Sequence, residues 1–226
     1  STFHPEFAFL PRKFKIAICG SQEDRAVILV HDIGLQLVRN DVGTLGFRVF
    51  AGGGLGRTPI IGSLVRDFVE WQHIATYCEA TIRVYNRYGR RDNSFKARIK
   101  ILVKALKPEV FAQKVEAEWA HLKDGPGTLT QAEVDRIAAH FGAPEYETLT
   151  APDAGYAAKL ETDRAFAAWV RRNVHAHKMP GYGAVTLSLK KTGATPGNAS
   201  AEQMDVVADL ADRYSFGELR ISHEQN

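Results

Sequence analysis

The first strand-like segments of this chain are grouped together and its helix-like segments follow them, and that order restricts the fold class before any single residue does. Residues 14–19 alternate and carry enough β-branched and aromatic side chains for a strand, closed by the turn Gly20-Ser21-Gln22-Glu23-Asp24. Residues 26–31 and 35–39 read as a hairpin around Asp32-Ile33-Gly34. Residues 45–51 read as a further strand, running into Gly52-Gly53-Gly54-Leu55-Gly56. Thr58-Pro59 predicts a helix start, because the threonine hydroxyl can cap free amides and proline fits the first helical position. That helix is expected to run past Arg66, Phe68, Val69, Trp71, Ile74, Cys78, Ile82 and Tyr85 until Gly89 interrupts it. Helices over 97–106 and 109–122 follow, separated by Pro108, and Thr130-Gln131-Ala132-Glu133 opens another, as a capping box, to Phe141.

Residues 142–155 are rich in Pro, Gly, Ala and Thr with little periodicity, and form the expected domain boundary. Residues 162–176 read as a helix whose Arg171, Arg172 and His175 suit its negative C-terminal end. Residues 184–189 read as a strand and 193–198 as a loop. Ser200-Ala201-Glu202-Gln203 is a second capping box, opening a helix to Tyr214, and residues 218–222 read as a closing strand. Strand, helix, strand is half of a ferredoxin-like α+β sandwich, a unit that normally pairs with a second half.

Composition excludes several classes. Lys and Arg number 29 against 26 Asp and Glu, a net charge of only +3, which gives no global case for nucleic-acid binding. The most apolar stretches, around residues 26–30 and 99–106, are too short and too charged to span a bilayer. The start, Ser1-Thr2-Phe3-His4-Pro5, carries no secretory signal, so a reducing, cytoplasmic setting is expected. The missing initiator Met and the strand-like finish suggest an internal fragment. The 2 cysteines, Cys19 and Cys78, cannot form a disulfide framework or, by themselves, a zinc or iron–sulfur site. No histidine pair has metal-ligand spacing: His175 and His177 read as partners of a helix end, and His73 as a core or edge residue.

Three clusters could carry chemistry. In Leu10-Pro11-Arg12-Lys13-Phe14-Lys15, strand alternation puts Lys13 and Lys15 on one face, their ammonium groups about 6–7 Å apart, able to clamp a small oxyanion. Lysines on a solvated strand edge account for the pattern as well. Gly52-Gly53-Gly54-Leu55-Gly56-Arg57 ahead of a helix start could bring backbone amides to an anion, or could simply be a tight turn. Arg87, Arg90, Arg91, Arg98 and Lys100, interspersed with Gly89, Asp92 and Asn93, would suit a polycarboxylate or phosphate, or form a solvated basic loop.

Together these residues resemble the siroheme-dependent nitrite and sulfite reductase family. The match runs from Leu-Pro-Arg-Lys-Phe-Lys at residues 10–15, through Gly-Gly-Gly-Leu at 52–55, to Gly-x-Arg-x-Asn-x-x-x-Ala-Arg-x-Lys at 89–100. It ends with Glu202-Gln203-Met204 and Ala211-Asp212-Arg213-Tyr214, and so covers nearly the whole chain. The resemblance implies a siroheme and cluster-type α+β domain over residues 1–150, a linker and helix over 151–177, and a ferredoxin-like half-domain over 178–226. It implies that Lys13 and Lys15, with Arg12, bind the substrate anion and that the two lysines help supply protons. Lysine rather than asparagine at position 15 points to sulfite, reduced to sulfide by six electrons, over nitrite, reduced to ammonia. Arg91, Asn93, Arg98 and Lys100 become candidate siroheme contacts, and Gly52, Gly53 and Gly54 a backbone cradle.

The family also binds a 4Fe–4S cluster through Cys-x5-Cys and Cys-x3-Cys, and neither pattern is in this chain. The expectation is therefore a catalytic part that is inactive alone, contains no metal, siroheme or cluster, and depends in its parent on a ferredoxin or flavoprotein donor. Two further readings are a stand-alone phosphate- or nucleotide-binding module, and a half-domain that dimerises through its unpaired face.

Overall fold

In the computed structural model, which describes residues 4–149 and 153–222, apolar alternation builds a four-stranded sheet in the order β1-β2-β3-β4. The strands are β1 (Ile16–Cys19), β2 (Ile33–Arg39), β3 (Leu45–Ala51) and β4 (Ser63–Glu70). β2, β3 and β4 form an antiparallel meander, whereas β1 lies parallel to β2 with Ile16 opposite Ile33. A tight hairpin cannot join parallel strands. Residues 20–32 therefore cross over through a short 3-10 turn, Ile28–Val30, seated so closely on β2 that any side chain at Gly34 would strike the Ile28 backbone. This corrects the hairpin expected around Asp32. Residues 26–31 form no strand, and Asp32 is buried at 1% exposure, held by a partner far away in sequence.

The helix expected from Thr58 is corrected as well. Residues 63–70 are β4, and α1 (Ile74–Tyr88) begins only after the short turn Trp71–His73. The buried side chains of β4 are Val65 and Val69. That spacing of four lies on one face of a strand and on one face of a helix alike; pairing with β3 decides between them.

One sheet face is covered by α1, α2 (Ile99–Leu106) and α3 (Pro108–Trp119). α1 turns Tyr77, Ala80, Thr81, Val84 and Tyr85 inward, the i, i+3, i+4, i+7, i+8 stripe of an amphipathic helix. Ile33, Leu35, Val49, Ala51, Val65 and Val69 of the sheet meet Tyr77, Tyr85, Ile99, Phe111 and Val115 in a single core. A smaller cluster of Ala17, Cys19 and Ile28, with Phe50 against it, includes the buried side chains of β1. α4 (Gln131–Ala138) follows, its first amides capped by the Thr130 hydroxyl, which accepts from the Glu133 amide at 3.3 Å. These elements belong to one compact unit, Ser1–His140.

The second unit, Phe141–Asn226, holds α5 (Ala154–Thr162), α6 (Arg164–Asn173), a hairpin of β5 (Val174–Ala176) and β6 (Gly183–Val185), and α7 (Ala201–Tyr214). The helix expected over 162–176 is two elements. Asp163 ends α5 and its carboxylate caps α6 by accepting from the Ala165 and Phe166 amides, while His175 lies in β5 rather than at a helix end. The capping box at Ser200 is present in full, Ser200 and Gln203 each bonding the other's backbone amide. The strand expected over 184–189 shortens to β6, and residues 218–222 form no strand. Tyr146, Tyr182 and Phe216 pack around one another, Tyr146 lying edge to face at 5.1 Å from Tyr182 and 5.4 Å from Phe216.

Two groups, the buried Tyr77 and the partly buried Cys78, link the core to alkaline pH. The Tyr77 hydroxyl donates to Glu116 Oε1 at 2.8 Å, and burial, then that carboxylate, raise its ionisation above the usual 10.0. Burial pushes the Cys78 thiol from 9.0 up to about 12. Both pKa values are raised on folding, so the unfolded chain loses these protons first, and the associated stability is lost as pH climbs from the unfolded values through the folded ones. The urea midpoint is expected to fall progressively above about pH 9, and less steeply in a Tyr77→Phe, Cys78→Ala double variant; equal slopes would refute the assignment.

Candidate anion-binding site

Asp32 sets the geometry of the site. Its Oδ2 accepts the Lys15 amide at 3.0 Å, and both carboxylate oxygens receive the Arg98 guanidinium, whose Nη2 lies 2.9 Å from each. Its carbonyl accepts the Gly52 amide at 3.0 Å. Lys15, just ahead of β1, is thereby fixed beside the start of β2, the end of β3 and the N-cap of α2. Around this junction lies a cavity of about 310 Å³ whose walls include Lys15, His31, Asp32, Leu55, Gly56 and Arg98. A wider cleft of about 530 Å³ beside Gln36 and Leu37 gathers none of these residues.

The basic residues singled out from the sequence separate into two groups. Arg12 Nη1 donates to the Ser94 carbonyl at 2.9 Å, and Arg91 Nη1 to the Phe9 carbonyl at 2.8 Å, so the two strap residues 9–12 and 91–94 together from both sides. Arg91 also donates to the Asn86 carbonyl and Oδ1. Asn93 Oδ1 accepts the Phe95 amide at 3.0 Å. Arg87 pairs with Glu118, and Arg90 with Asp92. Lys100 is buried, its Nζ donating to the Leu55 carbonyl at 3.1 Å and the Thr58 carbonyl at 2.6 Å. Lys13 and Lys15 differ from all of these. Both are exposed on either side of Phe14, which packs on the core, and among the described residues neither ammonium enters an ion pair.

The glycine run is structural where its amides are concerned. Gly52 and Gly54 donate to the Asp32 and Ile60 carbonyls, and no helix follows to add a positive N-terminus. Gly52 has φ +84, and a side chain at Gly53 would overlap the carbonyls of Leu29 and His31, its first carbon falling only 2.6 Å from the His31 oxygen. The phosphate-loop reading requires a helix start at Thr58 and falls with it. Nothing local in the sequence singles out His31 and Asp32, because an Asp ahead of an apolar run reads as a turn. His31 Nδ1 lies 3.0 Å from the Val27 carbonyl; a carbonyl only accepts, so Nδ1 carries the proton and Nε2 is the remaining ring nitrogen.

Iron–sulfur clusters need four ligands, normally cysteine thiolates, and this chain has 2 cysteines. Cys19 is buried in β1, donating to the Glu23 carbonyl at 3.1 Å, with the Ser21 hydroxyl beside it holding its thiol below the usual value. Cys78 lies on α1. Among the described residues no three metal-ligating side chains converge, and no helix is long and apolar enough to cross a membrane.

Comparison with known proteins places this chain in a family. The model of the nitrite and sulphite reductase 4Fe-4S domain matches residues 1–123, and that of the nitrite/sulfite reductase ferredoxin-like half domain matches residues 177–226. Two models in this order, the first covering more than half of the chain, mean that the chain belongs to the nitrite and sulfite reductase family, with its α+β fold. Sulfite reductase (ferredoxin) 1 of Mycolicibacterium paratuberculosis is 33% identical over 141 residues, 62% of this chain and 24% of that protein. The chloroplastic ferredoxin–nitrite reductase of Zea mays is 28% identical over 227 residues, 99% of this chain and 33% of that protein. A sulfite reductase (NADPH) hemoprotein beta-component of Staphylococcus haemolyticus is 35% identical over 105 residues, covering 43% of this chain and 18% of that protein. The chain thus spans a third or less of the length of these relatives.

Two substitutions test the junction. Asp32→Asn keeps the shape but leaves the Arg98 guanidinium without its counter-charge, and is expected to cost about 3–5 kcal/mol, the scale for a broken buried pair, read as a lowered urea midpoint. Gly53→Ala is expected to destabilise by about 1–3 kcal/mol through steric overlap, whereas alanine at the open, exposed Gly142 should be nearly silent.

Proposed function

We propose that this chain supplies the oxyanion-binding segment, residues 12–15 just ahead of β1, of a siroheme-dependent reductase that acts on sulfite. The observation that carries this reading is the pair of ammonium groups on Lys13 and Lys15 that enter no ion pair among the described residues, with Lys15 held at the mouth of a cavity by the Asp32–Arg98 junction. Flexible lysine ammonium groups can follow a small anion as its charge grows, and can donate protons to a departing oxygen. Arg12 steadies the same segment through Ser94. Lysine rather than asparagine at position 15 favours sulfite, by resemblance to the family's sulfite-reducing members. Nitrite is the second reading, favoured by the nitrite reductase of Zea mays aligning along 99% of this chain.

Siroheme, when bound, supplies the iron to which the anion binds and through which electrons reach it. The residues present fit such a group in part. Lys13 and Lys15 have donors to offer on the substrate side. Arg91, Arg98 and Lys100 are engaged with protein groups, so in this reading they and Asn93 shape the site, with Gly52, Gly53 and Gly54 leading into the Leu55 segment that Lys100 braces. The two cysteines do not fit the cluster, and no step is assigned to it. In this reading residues 1–150 form the siroheme-facing domain and residues 178–226 the half-domain. The chain alone, in a reducing cytoplasm, carries neither group and is inactive. The donor is a ferredoxin or a flavoprotein, as the ferredoxin- and NADPH-named relatives suggest.

Calorimetric titration of the chain with sulfite and with nitrite tests the reading. Lys13→Met and Lys15→Met are each expected to weaken sulfite binding about tenfold or more, the worth of one charged hydrogen bond. Lys15→Asn should narrow the preference for sulfite over nitrite. Wild-type affinity in both methionine variants would sink the assignment.

A further inference from the structure

The cavity holds one group to which the sulfite-binding role assigns no part. His31 sits on its wall together with Lys15 and Arg98, half-buried, directly ahead of the buried Asp32. Its Nδ1 is committed to the Val27 carbonyl at 3.0 Å, which orients the ring and leaves Nε2 as the only ring atom able to gain a proton or meet a ligand. Histidine is the side chain whose charge ordinarily changes between pH 5 and 8.

We propose that His31 is the proton-bearing member of this pocket: protonated at Nε2 it is a further donor to a bound oxyanion, and neutral it withdraws that donor. The proposal rests on Lys15 marking an anion site, and adds to it a residue that makes the anion's affinity depend on pH.

The charges around His31 permit this. From the segment before β1 comes Lys15, a cation in no ion pair among the described residues. From the N-cap of α2 comes Arg98, whose charge is matched by Asp32 at 2.9 Å. From α2 also comes Lys100, whose ammonium faces the Leu55 and Thr58 carbonyls, and from the glycine segment packed against the His31 backbone comes Arg57, exposed beyond Gly56. On the crossover itself, Asp24 accepts the Ile28 amide with both carboxylate oxygens. The Asp32 carboxylate is shared between Arg98 and the Lys15 amide, so it does not provide His31 with a dedicated counter-ion. A protonated His31 is thus one more positive charge on a wall that already carries Lys15, and an anion is the ligand that gains from it. Small oxyanions with acceptor oxygens on several sides can meet Lys15 and Nε2 together; a neutral ligand would gain nothing from the added proton.

The test is calorimetric titration of the whole chain with nitrite and with sulfate at pH 5.5, 6.5 and 8.0. Both probes keep their charge across this interval, whereas sulfite does not. Wild type is expected to bind about tenfold more tightly at pH 5.5 than at pH 8.0, the scale of one charge-assisted hydrogen bond. His31→Gln keeps a polar side chain of similar reach without a titrating ring, and should bind with the same affinity at all three pH values. Lys15→Met should weaken binding at every pH. A pH-independent wild type, or an unchanged pH dependence in His31→Gln, overturns the role of His31 while leaving the Lys15 reading intact. Absence of nitrite and sulfate binding to wild type at every pH overturns both. Should His31→Gln fail to fold, the ring nitrogen shifts of His31 in the wild-type chain decide the matter: saturating nitrite should raise the pH at which the ring titrates, and an unmoved titration overturns the proposal.

Discussion

A buried carboxylate ties the first unit together at one point. Asp32 accepts the amide of Lys15 from ahead of β1, takes the fork of Arg98 from the N-cap of α2, and through its carbonyl receives the amide of Gly52 beyond β3. A lone carboxylate at 1% exposure would be prohibitively unfavourable. It is tolerated because the guanidinium matches both oxygens and a backbone amide takes up remaining acceptor capacity. The same set of bonds brings Lys15 to the cavity wall, so the stability of the junction and the placement of the segment ahead of β1 are one requirement.

The distribution of cations follows from side-chain geometry. Arginine's planar fork suits fixed acceptors, and here Arg12 and Arg91 reach backbone carbonyls while Arg98 grips a carboxylate. Lys100 lies with its stem against Gly54, where a larger residue would crowd it, and its head on two carbonyls. These residues brace loops. The lysines flanking Phe14 are different because Phe14 anchors the segment in the core and leaves them in solvent. A cluster that looks like one basic patch in the sequence is therefore a set of braces with two exposed lysines beside it.

The second unit is built with less burial. Among its described residues Ala211 alone is a buried apolar side chain, and its hairpin has strands of three residues, β5 and β6, too short to be stable by themselves. Its helices carry the Ser200 box that the sequence promises and, at the start of α6, a cap at Asp163. Residues 218–222 have strand-forming side chains and no strand, because a strand exists only against a partner edge. The half-domain description of the matching family model agrees with a unit of this kind.

Local signals are reliable where local physics decides. The strand over residues 45–51, the helix stop at Pro108, the caps at Thr130 and Ser200, and the Lys-Phe-Lys alternation all follow from neighbours in sequence. The expected hairpin at Asp32 and helix from Thr58 fail for one reason: Asp32 is buried by Arg98, and Val65 and Val69 are sorted into a strand by β3, partners that no local window contains. The candidate site shows the same division. Lys13 and Lys15 are legible as a spaced pair of cations, whereas His31 is not, since its significance comes from the cavity it shares with Lys15 and Arg98. By itself the sequence determined which side chains could face an anion and to which family their order belongs. Only the tertiary structure decided which of those charges are already neutralised, because a counter-charge can come from any distance along the chain.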